Sequence, residues 1–117
     1  VFFIFKINMM YKNEINMNGP AVVSFAIKDV IPEILNLSKN VNCIFSHQAG
    51  KVVMNQLQKK INSEVFFPQN FKNHGNLVST SIPLLLKQNM KKLKKDKKIL
   101  ICGFGVGLSA SIILFYR

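Results

Sequence analysis

Ile99 to Tyr116, ILICGFGVGLSASIILFY, is a stretch of eighteen residues without a charge, with lysines before it and Arg117 after it. How it folds decides the architecture. As a helix rising about 1.5 Å per residue it spans about 27 Å, just under the ~30 Å hydrocarbon core of a bilayer, so a C-terminal membrane anchor is one reading. As strands, the same letters divide into Ile99–Cys102, a turn at Gly103, Gly105 and Gly107, and a second strand over Leu108–Tyr116. Each glycine weakens a helix in water by roughly 1 kcal/mol, although membranes tolerate glycine better. Unbroken apolar runs suit strands buried on both faces. Sequence physics alone leaves both readings open.

The lysines just before this stretch carry much of the charge. Between Lys87 and Lys98, seven lysines stand against Asp96, a local net charge of +6 out of +11 for the 117 residues. Such a block can bind nucleic acid or an anionic membrane. It contains no aromatic residue on which a base could stack, and lysines near a helix C-terminus favour the helix dipole. A solvated helix end followed by a linker therefore accounts for it. Fifteen of the sixteen basic residues are lysine, and the accompanying richness in Asn, Ile and Phe is the skew an AT-rich genome imposes. With 49% apolar and 18% charged residues, the chain has ample material for one domain and is not disordered. Its two cysteines exclude a disulfide scaffold.

Upstream, helical and strand patterns alternate. Val1–Phe5 suits a buried strand and has no signal-peptide layout. The chain starts with Val1 rather than Met, so residues 1–16 are expected to be a truncated lead-in and residues 17–117 the domain proper. Val23, Ala26, Ile27, Val30, Ile34 and Leu37 recur at helical spacing, predicting a helix over Ala21–Leu37 that Pro32 kinks or interrupts. Val41–Ser46 reads as a strand, and Val53, Met54, Leu57 and Ile61 as one face of a helix. Val65–Phe71 reads as a further strand with Pro68 at a bulge or edge, and Leu84–Met90 as a helix capped near Ser79–Ser81. This order predicts an α/β domain with helices packed on a mixed sheet.

Cys43, His47, His74 and Cys102 could in principle form a Cys₂His₂ metal set, but their spacing matches no zinc-finger pattern. Both cysteines fall in apolar strands, where a free thiol behaves as a small core hydrophobe, so no metal is expected. Two polar clusters are more informative. Ser46-His47-Gln48-Ala49-Gly50 and His74-Gly75-Asn76 each follow a predicted strand and precede a helix, and α/β folds gather their sites at such strand ends.

HQAG at 47–50, HGN at 74–76 followed by STSIPLL at 79–85, and GFGVGLS at 103–109 resemble the C-terminal half of β-ketoacyl-ACP synthase III enzymes, of the thiolase-like superfamily. The segment from Met17 to Val22, with Phe25, is similar to the family's entry into its penultimate long helix. The resemblance implies a thiolase-like α/β fold and a Cys–His–Asn catalytic set in a cytoplasmic enzyme, homodimeric at full length. Acyl-CoA and malonyl-ACP would be its substrates, the acyl carrier protein its partner, and it would need no cofactor. His47 and Asn76 take the positions of the family's histidine and asparagine, which donate hydrogen bonds to the malonyl thioester carbonyl. The backbone N–H near Val106 would serve the oxyanion of the acyl-cysteine. Lys51 stands where a basic residue often faces the carrier, although it is equally a solvated helix residue.

The departures are also specific. Gly50 replaces a customary Asn, Leu77 a customary Thr, and the Trp often found after the last glycine turn is missing. The family's nucleophilic cysteine belongs to its N-terminal half, and neither Cys43 nor Cys102 matches it. The resemblance thus implies a chain unable to condense substrates alone. It favours the paired strands over the alternative of a small basic membrane-anchored protein with a helix at 99–116.

Overall fold

The structure is a computed structural model. It describes residues 17–93 and 97–117, together with the backbone of residues 2–5. Lys94, Lys95 and Asp96 of the lysine run and residues 6–16 of the expected lead-in lie outside the described residues.

The ambiguous C-terminal stretch is a strand pair. Strand β3 (Lys98–Gly105) turns at residues 106–108 into strand β4 (Ser109–Tyr116), and the two run antiparallel from Lys98↔Tyr116 to Gly105↔Ser109. The membrane-anchor alternative is overturned here. Among the described residues no helix is long and apolar enough to cross a membrane. The glycine turn is shorter than expected, because the strand runs on through Gly103 and Gly105 and only Gly107 of the three sits in the turn, at φ 123°.

Strand β1 (Phe2–Phe5) pairs antiparallel with β4, and β2 (Cys43–Ser46) pairs parallel with β3. The result is a mixed four-stranded sheet in the order β1-β4-β3-β2. The strand expected over Val65–Phe71 is reduced to a single parallel bridge between Cys43 and Phe66. Pro68 has no N–H to offer a ladder, and the chain instead bends into a one-turn helix.

The long N-terminal helix is continuous rather than broken at Pro32. It comprises α1 (Gly19–Phe25), a π-helical turn (Ala26–Val30) and α2 (Ile31–Leu37). The wide turn is closed by the Ile31 N–H donating to the Ala26 carbonyl, and Pro32 falls in the first turn of α2, where its missing N–H matters least. Asn18 caps the start, its Oδ1 accepting from the Ala21 N–H at 3.1 Å. Helix α3 (Lys51–Lys60) buries Val53, Met54 and Leu57, as its spacing predicted. Helix α4 (Phe71–His74) is a single turn, and α5 (Ser81–Asn89) follows a 3₁₀ turn at Val78–Thr80 without a side-chain cap from Ser79 to Ser81.

The sheet separates two apolar clusters. Phe25, Ala26, Val30, Ile31 and Ile34 of the long helix meet Ile44, Leu57, Leu100 and Ile112 in one; Leu85 of α5 packs against Cys43, Phe45 and Ile99 in the other. Side chains on both faces of β2 are buried, which explains its unalternating sequence.

Candidate active site

His47 follows the last residue of β2, and the sheet fixes its main chain: its N–H donates to the Cys102 carbonyl on β3 at 2.8 Å. Its ring stands edge-on to Phe104 of β3, with centroids 5.4 Å apart and planes at 84°. Only 9% of the residue is exposed. Burial holds the imidazole pKa below its ordinary 6.5, and a hydrogen bond with the Val78 backbone opposes that shift. Near neutral pH the ring is uncharged.

Asn76 is delivered by α4 and Gly75. Gly75 adopts φ 66° and ψ −158°, a region open essentially to glycine alone. The Asn76 Oδ1 then accepts from the Val78 N–H at 2.9 Å, which leaves its NH₂ group as the free donor of the amide. Val78 itself has φ 50°, a strained value for a β-branched residue. The Val78 backbone therefore fixes the Asn76 Oδ1 and also counters the fall in the His47 pKa.

The two side chains line one cavity of about 830 Å³. Its floor is Gly103 to Val106 of the β3–β4 hairpin with Ser109 to Ser111 of β4, and Met17, Gly19, Val22, Val23 and Ala26 form a largely apolar wall. Val78, Ser79 and Ile82 complete it opposite. Val106, whose N–H is the candidate oxyanion donor, lies on the cavity at the hairpin turn. Lys51, the carrier candidate, is exposed at the start of α3 and is not part of the cavity lining.

Neither cysteine reaches the cavity. Cys43 and Cys102 are buried in β2 and β3, and desolvation pushes each thiol up to about 12, so neither supplies a thiolate. Among the described residues, no three of His, Cys, Asp and Glu come together to hold a metal. His74 is exposed, its Nε2 3.4 Å from the Gln88 Nε2, and does not line the cavity.

Sequence reading missed three contributors. The apolar wall from Met17 to Ala26 carries only core-like residues, with nothing to distinguish a cavity face from a packed one. Val78 contributes through its backbone, which its side chain does not announce. Gln48 was legible as part of HQAG, but its complete burial was not.

Residues 36–116 match the family model for the C-terminal domain of 3-oxoacyl-[acyl-carrier-protein (ACP)] synthase III. The chain belongs to that family. A β-ketoacyl-[acyl-carrier-protein] synthase III of Streptococcus agalactiae (strain NEM316) is 33% identical over 107 residues, covering 81% of this chain and 33% of its own. The corresponding Streptococcus gordonii enzyme is 34% identical with the same coverage. A crystal structure of a 3-oxoacyl-(acyl-carrier-protein) synthase III superposes with a TM-score of 0.72 at 30% identity, over 86% of this chain and 33% of that one. The Thermus thermophilus synthase III shares the fold, with a TM-score of 0.76 at 22% identity over 93% of this chain and 37% of its own. These neighbours are thiolase-like, and the α/β expectation holds. The chain spans about a third of the length of the curated relatives it matches.

Proposed function

We propose that the chain is the C-terminal catalytic portion of a 3-oxoacyl-ACP synthase III-type acyltransferase, acting on malonyl-ACP and an acyl thioester in fatty-acid or related biosynthesis. What supports this most is the convergence of His47 and Asn76 on one cavity, with the Asn76 Oδ1 already occupied and its NH₂ group free.

The chemistry follows from that pair. Malonyl thioester loses CO₂, and the electron pair of the broken C–C bond moves toward the thioester carbonyl, whose oxygen becomes enolate-like. Donors already aimed at that oxygen stabilise the charge without reorganising, and losing one costs on the order of 10²–10³ in rate. Asn76 donates without titrating, and a neutral imidazole at position 47 can donate through its one ring N–H. The enolate carbon then attacks an acyl-cysteine thioester, forming the new C–C bond and releasing thiolate. The Val106 N–H would hold the oxyanion of that step. The burial of Cys43 and Cys102 away from the cavity supports a reading in which the nucleophile is supplied by polypeptide outside this chain, which alone would not condense its substrates. The functional setting is a cytoplasmic homodimer that receives the acyl carrier protein near Lys51 and requires no cofactor.

The test is a chimera in which residues 17–117 replace the matching third of the Streptococcus agalactiae enzyme. Condensation of malonyl-ACP with acyl-CoA is expected, falling on the order of 10²–10³ with His47→Ala or Asn76→Ala. A folded chimera that condenses equally well with both substitutions refutes the assignment.

A further inference from the structure

Gln48, next to His47, is completely buried, although glutamine is a surface residue in most proteins. Its side chain joins two separate stretches of chain. Nε2 donates to the Ser46 carbonyl at the end of β2, at 3.0 Å. Oε1 accepts from the Asn70 N–H at 3.0 Å and the Phe71 N–H at 3.3 Å, at the start of α4. We propose that Gln48 is a positioning residue that sets the separation of His47 and Asn76 by clamping the end of β2 to the start of α4.

Both paths from the clamp to the donors are short and stiff. On one side His47 is the adjacent residue, and its own N–H is pinned to Cys102. On the other, Asn76 lies five residues beyond Phe71, across the single helical turn of α4 and the constrained Gly75. The first N–H groups of a helix have no partner within it. Asn70, at the N-cap of α4, makes no side-chain cap of its own, so Gln48 supplies the acceptor from across the fold. Asn70 extends the connection, its Nδ2 donating to the Gln88 Oε1 on α5 at 3.2 Å. The clamp needs a neutral amide. A carboxylate keeps the acceptor bonds but repels the Ser46 carbonyl, and an apolar side chain of equal length leaves buried donors and an acceptor unpaired. That the two positioned groups are catalytic donors rests on the function proposed above; the clamp itself does not.

Amide hydrogen exchange and side-chain NMR of the full 117-residue chain test the inference without any activity. In the unsubstituted chain, the Asn70 and Phe71 amides and the Gln48 side-chain NH₂ should exchange slowly, whereas exchange as fast as in an exposed loop overturns the proposal. In Gln48→Met, Asn70 and Phe71 should exchange at least about tenfold faster. The Asn76 side-chain amide resonance should shift with them, and amides in the centre of β3 should change little. In Gln48→Glu, which retains the acceptor, protection of Asn70 and Phe71 should return. A Gln48→Met chain with unmoved Asn76 and His47 signals, or with all amides accelerated equally, shows a purely structural role and refutes positioning. Failure of the chimera to condense malonyl-ACP would instead strike the functional reading and leave these exchange results standing.

Discussion

At residue 78, glycine should be more stable than alanine, reversing the usual order. Val78 has φ 50°, in the left-handed region, where the Cβ of an L-residue costs roughly 1–2 kcal/mol. Its side chain is 73% exposed, so Val78→Ala and Val78→Gly lose the same small burial and that loss cancels between them. Alanine keeps the Cβ and hence the strain. Glycine removes it but adds freedom to the unfolded chain, a penalty of about 0.5–1 kcal/mol. The balance leaves glycine ahead by roughly 0.5 kcal/mol. With a urea slope near 2 kcal/mol/M, the unfolding midpoints should differ by roughly 0.3 M. Val52, exposed on α3, is the control. At that helical position alanine should lead glycine by about 1 kcal/mol. Urea titrations followed by far-UV circular dichroism on the four variants measure both gaps. An alanine variant at 78 as stable as the glycine variant, or more so, refutes the argument that this backbone is strained. The gain in stability should accompany a looser hold on Asn76, because the Val78 N–H is what fixes the Asn76 Oδ1.

The remaining predictions concern titration and reactivity. With the His47 pKa below its unfolded value of 6.5, the unfolded chain binds the extra proton first, so stability should fall as pH drops through 6.5 toward the folded pKa. Urea midpoints at about pH 7.5 and pH 5.5 should therefore converge for His47→Gln relative to the parent, and equal losses in both would remove the basis for a buried neutral imidazole. Cys43 and Cys102, with thiols pushed up to about 12, should resist iodoacetamide at pH 8 in the folded chain and react once it is unfolded in urea. Rapid modification of either under native conditions, followed by mass spectrometry, would contradict their burial.

Much of the fold was legible because the apolar spacing was consistent with one answer. The α3 face, the β2 run and the long helix all follow from period and length, and the C-terminal stretch was ambiguous only because an apolar run without alternation fits a membrane helix and a doubly buried strand equally. Pairing settles it. The whole of β3 aligns with β4 while β2 lies parallel on the other side, relationships no local window contains. The strand expected at Val65–Phe71 failed for a related reason: β-prone letters around Pro68 had no ladder able to accept that residue. Pro32 does not end the helix, because it falls in the first turn of α2, directly after a wide turn, where its missing N–H matters least. Within the site, His47 and Asn76 stood out as unusual polar residues at element ends. Val78 and the wall from Met17 to Ala26 did not, since one acts through its main chain and the other through ordinary apolar side chains.

The π turn at Ala26–Val30 holds one more residue than an α-helical path would need, and this offsets the front of the long helix from its back. Val22, Val23 and Ala26 look into the cavity, while Val30, Ile31 and Ile34 seat the helix on the sheet. Excising a single residue there would leave the rear half docked and rotate the front half by about 100°, swinging the chamber wall aside with its composition intact. The chamber's shape can thus be altered by one codon's gain or loss in a segment of which Ala26 alone faces it.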